Sequence, residues 1–135
     1  MTFALFRGFS AGSFPKGEVH PLALEVIKAN DLTTEGLRSK SWNEFAAPDS
    51  PAIDLVITDV KMPGGMDGFA LADWIQSNRP GVEIILASAD ESSGERAKRS
   101  PQFGPFLAKP YTGRALLDLV KEALSKRPTD ASGAA

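Results

Sequence analysis

Residues 54–63 read DLVITDVKMP, and this stretch decides the fold class. Its apolar and β-branched run, from Leu55 to Thr58, is too short for a globular helix and is typical of a strand buried on both faces, as in parallel sheets. Asp59 follows at the carboxyl end of that strand, where open α/β sheets hold their reacting groups. An isolated aspartate in this position also fits a turn or a cap, so the rest of the chain decides between the two interpretations.

The composition excludes several classes of function. The chain has 135 residues, enough for one domain with its own core, and it contains no cysteine, which excludes disulfides and thiolate metal sites. A formal net charge of -2 gives no electrostatic argument for binding nucleic acid. No apolar run approaches the roughly 20 residues that cross a bilayer, and the start of the chain lacks the pattern of a signal peptide. We therefore expect a cytoplasmic protein with no membrane or nucleic-acid partner.

Helices and strands alternate after Asp59, which is typical of a parallel sheet covered on both faces. Consecutive strands of such a sheet end at the same edge, so Asp59, Ser88 and Lys109 are expected to meet there although they are far apart in the sequence. The predicted elements are a helix at Gly68–Asn78, a strand at residues 83–87 ending at Ser88, one or two helical turns within residues 92–100, a strand at Phe106–Ala108, and a last helix capped by Thr112 and continuing to Leu124.

The pattern before residue 52 is less regular. Residues 2–6 suit a first strand, and Pro21 suits the first turn of a helix, although apolar residues that alternate in the same segment also fit a strand. Residues 32–37 give a weak indication of a second strand. Ser41 has the spacing of a helix cap, with Glu44 three residues later to reach back to it.

A carboxylate, a hydroxyl and an ammonium group at three strand ends suit phosphoryl chemistry. The Asp59 carboxylate can act as a nucleophile and hold an acyl phosphate. The Lys109 ammonium can neutralise phosphoryl oxygens, and the Ser88 hydroxyl can donate a hydrogen bond to one of them. Taken singly, the lysine fits a solvated turn and the serine fits a cap, whereas their occurrence at successive strand ends favours a common site.

These residues resemble the receiver domains of two-component response regulators, over roughly residues 53–124. Asp59 is followed by Met62-Pro63 and, after a glycine turn, by Met66-Asp67-Gly68, as in that family. The resemblance implies roles for six residues: Asp59 as phospho-acceptor, Ser88, Ala89 and Lys109 as phosphate contacts, Phe106 as the aromatic residue that changes rotamer on activation, and Pro110 as the proline after a cis peptide bond.

The resemblance also implies an α/β fold of the flavodoxin-like type, a doubly wound parallel sheet of five strands in the order 2-1-3-4-5 with helices on both faces. We assign residues 1–124 to the receiver domain, with an atypical region at 1–51, and residues 125–135 to a flexible tail. The implied phosphoryl donor is a phosphohistidine on a sensor histidine kinase or a phosphotransfer protein.

The metal site of the family is incomplete in this sequence. Receiver domains bind Mg²⁺ through an acidic pair after the first strand, the phospho-acceptor and a backbone carbonyl two residues later, here those of Asp59 and Lys61. Residues 7–10, which follow the predicted first strand, read RGFS, and the first acidic residue of the chain is Glu18. Magnesium requires oxygen ligands, so we expect binding that is weak or lost.

Two functions compete on this evidence. The first is a single-domain response regulator that is phosphorylated on Asp59 and signals through protein contacts, with a homodimer through the last two helices and the last strand as one form. The second is a degenerate receiver that binds a protein partner without phosphorylation, as the missing acidic pair suggests. An aspartate-nucleophile phosphatase is disfavoured because such enzymes resemble an Asp-x-Asp pattern and Lys61 stands at the second position. The single histidine, His20, reads as a surface residue.

Overall fold

The computed structural model describes residues 6–62, 64–100 and 103–126. The chain divides into two compact units, Met1–Pro51 and Ala52–Ala135. No helix among the described residues is long and apolar enough to cross a membrane.

Residues 6–51 of the first unit contain one α-helix, α1, at Pro21–Ala29. Proline occupies its first turn, and Nδ1 of His20 accepts a hydrogen bond from the backbone N–H of Leu22 at 3.1 Å, which caps the helix. The prediction that a helix starts at Pro21 is therefore confirmed, and the alternative strand is wrong. His20 is exposed, as expected, and acts as a helix cap.

Two predictions for the first unit are wrong. Residues 32–37 form turns, because the backbone N–H of Leu32 bonds locally to the Ile27 carbonyl at 3.1 Å instead of joining a ladder. Ser41 does cap a helix, but this is a short 3-10 helix at Trp42–Phe45. The Glu44 carboxylate does not reach back to Ser41, since it accepts hydrogen bonds from Arg38 at 2.5 and 2.9 Å.

The predicted first strand cannot be compared in full with the structure. Its residues 2–5 lie outside the described part of the chain, and Phe6 is exposed and belongs to no strand.

The described residues of the second unit form a parallel sheet of three strands, whose order across the sheet is their order in the chain. The register places Asp59 beside Ala87 and Ser88 beside Ala108, so the three strands end together at one edge. The described residues thus give an α/β fold with a parallel sheet, while the five-stranded order is not found among them. The strands are β1 at Leu55–Asp59, β2 at Glu83–Ser88 and β3 at Phe106–Ala108.

Three helices cover this sheet. They are α2 at Gly68–Asn78, α3 at Glu91–Arg99 and α4 at Gly113–Ser125, and their N-caps are Asp67, Asp90 and Thr112. Each cap side chain accepts a hydrogen bond from a backbone N–H of the first turn, which satisfies a donor that the helix leaves open. The predicted bounds of α2 are confirmed, and α3 is longer than expected. The predicted tail begins too early, because Ser125 is the last residue of α4; residues 127–135 lie outside the described part of the chain.

Alternate residues of β2 face the two layers of helices. Ile84 and Leu86 belong to a core cluster with residues of α2 and α3, whereas Ile85 and Ala87 belong to a second cluster that α4 covers. Residues 84–88 are all buried, as expected for a central strand of a doubly covered sheet. This arrangement fixes the strand ends, and therefore the side chains that follow them.

Candidate functional site

The carboxyl ends of the three strands open into a cleft of about 420 Å³. The three residues predicted to meet, Asp59, Ser88 and Lys109, all lie in its wall. The full lining consists of Asp59, Lys61, Ala87, Ser88, Ala89, Asp90 and Lys109. The structure therefore brings together every residue of the predicted phosphate-contacting set.

Lys109 contacts the carboxylate of Asp59 directly, its Nζ donating to Oδ1. The backbone of Lys109 is fixed by the N–H bond that it donates to the Ser88 carbonyl at 3.0 Å, and its peptide bond to Pro110 is cis. About half of the Asp59 side chain, 52%, and 38% of that of Lys109 are exposed. A charged donor thus lies against a carboxylate that solutes can still reach.

Ser88 lies in the wall of the cleft and is buried, with only 8% of its surface exposed. Its Oγ accepts a hydrogen bond from the backbone N–H of Asp90 at 3.1 Å. The Ser88 hydroxyl is the acceptor in this bond, so the hydroxyl proton is not used in it. Ala89, the next residue, lines the same cleft and is small and exposed.

Gly68 allows α2 to begin close to the end of β1. Its N–H donates to the Val60 carbonyl at 2.7 Å, and a Cβ atom at this position would lie 2.4 Å from the backbone oxygen of Asp59. Any side chain would therefore push the helix away from the end of β1, where Asp59 lies. Asp67, the residue before it, accepts the N–H of Ala70 at 2.8 Å and acts as a helix cap.

Phe106 is the first residue of β3, three positions before Lys109, and packs against α3. Its ring faces Gly94, where a Cβ atom would lie 3.0 Å from Cε1 of the ring. Phe106 is half-buried and packs against the core cluster between the sheet and helices α2 and α3. Its role as a conformational switch stays a prediction.

One charged side chain of the cleft, that of Asp90, was not predicted, and Lys61 has a role there beyond the predicted one. Asp90 caps α3 and accepts hydrogen bonds from the hydroxyls of Ser92 and Ser93, and these bonds lower the pKa of Asp90 to about 2. Lys61, predicted only as a source of a backbone carbonyl, extends its ammonium to 3.6 Å from Oδ1 of Asp90. Lys61 lies two positions after Asp59, and Asp90 lies two positions after Ser88. This spacing is the sequence signal that could have identified them.

The low pKa of Asp90 predicts a pH-dependent contribution to stability. The ordinary pKa of an aspartate is 3.8, so folding favours the ionised form of Asp90. Its contribution to the free energy of unfolding is complete above pH 3.8 and is lost as the pH falls through about 2. We expect Asp90→Asn, which keeps a capping side chain, to be less stable than the wild type at neutral pH and equally stable below pH 2. Urea unfolding of both proteins across this range measures the difference. A difference that does not change with pH would contradict the assignment.

The acidic residues in the described ranges do not form a metal site of the kind that Mg²⁺ requires. The described part of the chain contains no group of three or more His, Cys, Asp or Glu side chains that could hold an ion. The Asp59 carboxylate contacts Lys109, and the first 17 residues of the sequence contain neither Asp nor Glu. Because Mg²⁺ is held through carboxylates and other oxygen ligands in octahedral geometry, the residues present do not fit it.

Comparisons with known proteins agree with this fold. A family model described as the response regulator receiver domain matches residues 33–121. The response regulator protein FleR of Pseudomonas aeruginosa is 38% identical over an alignment of 99 residues, and the match covers 64% of this chain and 20% of FleR. The sensor kinase CckA of Brucella abortus is 34% identical over 77 residues, 56% of this chain and 8% of CckA. The chain thus spans a fifth or less of these two relatives.

A solved structure, the receiver domain of NtrX from Brucella abortus, has the same fold. It superposes with a TM-score of 0.54 at 22% identity and covers 78% of this chain and 93% of the NtrX chain. Receiver domains are signalling switches of two-component systems, generally bind Mg²⁺ at their phosphorylation site, and interact with histidine kinases or phosphotransfer proteins. The family match covers well over half of the sequence, and the chain belongs to the response regulator receiver domain family.

Proposed function

We propose that Asp59 accepts a phosphoryl group from the phosphohistidine of a sensor kinase or phosphotransfer protein, and that the modified domain signals through protein contacts. The observation that carries the proposal is the contact between Nζ of Lys109 and Oδ1 of Asp59 in an open cleft that Ser88 also lines. A cation against the nucleophile supplies the charge that phosphoryl transfer requires, and the exposed half of the carboxylate remains open to a donor.

The transfer forms one bond to phosphorus and breaks another. One carboxylate oxygen bonds to phosphorus as the bond from phosphorus to the histidine nitrogen breaks, and the imidazole leaves with that electron pair. Lys109 neutralises a phosphoryl oxygen, and the Ser88 hydroxyl donates to another. Movement of Ser88 toward the phosphoryl group, with a new rotamer of Phe106, would carry the signal to the surface.

Acetyl phosphate tests the proposal, because it donates a phosphoryl group without a kinase. We expect the wild type, treated with and without Mg²⁺, to gain about 80 Da by intact mass spectrometry. Asp59→Asn should gain nothing. The matched control is Asp73→Asn, an exposed aspartate of α2 outside the cleft, which should gain the same mass as the wild type. No gain in the wild type under either condition would contradict the proposal.

The second candidate is a degenerate receiver that binds a partner without phosphorylation. The lack of a fitting metal site favours it, since a divalent ion normally offsets the charge that builds up in the transfer. Retention of the contact between Asp59 and Lys109 weighs against it. The same mass measurement separates the two functions.

Several finer features stay predictions. They are the single-domain arrangement, the extent of the receiver domain over residues 1–124, the five-stranded order 2-1-3-4-5, the homodimer through the last two helices and the last strand, and the cytoplasmic location.

A further inference from the structure

The cleft contains a second ammonium group besides that of Lys109. We propose that Lys61 supplies to the phosphoryl group on Asp59 the positive charge that Mg²⁺ would otherwise supply, so that this chain is phosphorylated without a divalent cation. The inference rests on the proposed function, since it concerns the same site and the same transfer.

Lys61 is placed to make this contact. Its side chain is 74% exposed and lines the same cleft as Asp59, Ser88 and Lys109. Its ion pair with Asp90 is 3.6 Å long, beyond hydrogen-bond distance. An exposed ammonium group at this distance from a half-buried carboxylate is held only weakly, so the Lys61 side chain can turn toward an incoming anion.

Asp90 does not depend on Lys61 for its position. The backbone N–H and the hydroxyl of Ser93 donate to it at 3.1 and 3.0 Å, and the hydroxyl of Ser92 donates as well. When Lys61 leaves, the Asp90 carboxylate keeps these three donors. The ion pair therefore gives the Lys61 side chain its position when no phosphoryl group is bound. Breaking the pair leaves the Asp90 cap of α3 in place.

The charges of the reaction show why a second cation is needed. An acyl phosphate donor, like the aspartyl phosphate that forms, brings about two negative charges to a cleft that already contains the carboxylates of Asp59 and Asp90. A bond forms between an Asp59 oxygen and phosphorus, the bond from phosphorus to the acetate oxygen breaks, and acetate leaves with the electron pair. Lys109 and Lys61 both line the cleft and offset part of the added charge, and each ammonium group offers three donors to phosphoryl oxygens.

The test follows the rate of mass gain from acetyl phosphate in EDTA and in Mg²⁺. We expect the wild type to be modified in EDTA at a rate that Mg²⁺ changes little. Lys61→Met should be about tenfold slower in EDTA, and Lys61→Arg, which keeps the charge, should recover most of the rate. The matched control is Lys98→Met, an exposed lysine of α3 outside the cleft, which should react like the wild type.

A calorimetric titration with Mg²⁺ alone gives a second readout that does not depend on phosphorylation. No saturable binding at millimolar Mg²⁺ supports the inference, and saturable binding contradicts it. Modification of the wild type only in Mg²⁺, or equal rates for Lys61→Met and the wild type in EDTA, would overturn the inference and leave the proposed function intact. Absence of modification under every condition would instead overturn the proposed function.

Discussion

Gly104→Ala is expected to lower the free energy of unfolding by about 3 kcal/mol or more, the largest stability loss for a single methyl group in the second unit. Gly104 has a φ of 79°, in the left-handed region, and a Cβ atom there would lie 2.2 Å from the carbonyl oxygen of Ile84. That oxygen belongs to the backbone of the buried central strand β2 and cannot move aside. The substitution therefore combines backbone strain with a steric overlap that displaces the chain just before β3.

Two other glycines separate these contributions. Gly81 has a φ of 97°, and a Cβ atom added there would have nothing within 4 Å, so Gly81→Ala should show the strain alone, about 1 kcal/mol. Gly68→Ala should show the overlap alone, because Gly68 lies in α2 and a methyl group there would meet the backbone of Asp59 at 2.4 Å. Urea unfolding of the three variants provides the values. A loss for Gly104→Ala no larger than that for Gly81→Ala would show that the overlap is relieved at no cost.

The second unit could be predicted from the sequence because its signals are local and agree with each other. The runs at residues 55–58 and 84–87 are short and rich in apolar and β-branched residues, and each is followed by a polar residue, Asp59 and Ser88. Helix α2 shows apolar residues at helical spacing after a capping aspartate, and its predicted bounds match. The rule that parallel strands end at one edge then predicted the meeting of Asp59, Ser88 and Lys109 without knowledge of any contact.

The first unit could not be predicted in the same way, because its segments carry few buried residues. Leu32 is 63% exposed, so its apolar side chain gave a strand signal that no packing supports. Glu44 has the spacing of a capping box, but Arg38, six residues earlier, donates two hydrogen bonds to its carboxylate. This bidentate, charged interaction is stronger than a single hydrogen bond from a backbone N–H. Spacing alone does not reveal such competition.

The ion pair between Lys61 and Asp90 was missed for a related reason. Both residues belong to loops after strands, where the direction of a side chain is set by the turn and not by a periodic pattern. The strand register predicts which loops are neighbours, but it does not predict which of their side chains meet.

Lys109→Met is expected to slow phosphorylation by acetyl phosphate at least about 100-fold, the largest functional loss for any residue other than Asp59. Lys109 contacts the nucleophile itself, whereas Lys61 rests on Asp90, so removal of Lys109 should cost more than removal of Lys61. The fold should tolerate the change. Both partners of the pair are more than a third exposed, and such pairs contribute at most about 1 kcal/mol to stability.

This separation of effects distinguishes a functional lysine from a structural one. A lysine that merely braced the ends of β1 and β3 would affect urea unfolding and phosphorylation together, through the displaced strand ends. A lysine that acts on the phosphoryl group would affect the rate alone, and Lys109→Arg would restore only part of it, because a planar guanidinium cannot occupy the position of a compact ammonium. Wild-type rates for a folded Lys109→Met variant would therefore contradict the proposed site, since they would mean that the charge placed against Asp59 takes no part in the transfer.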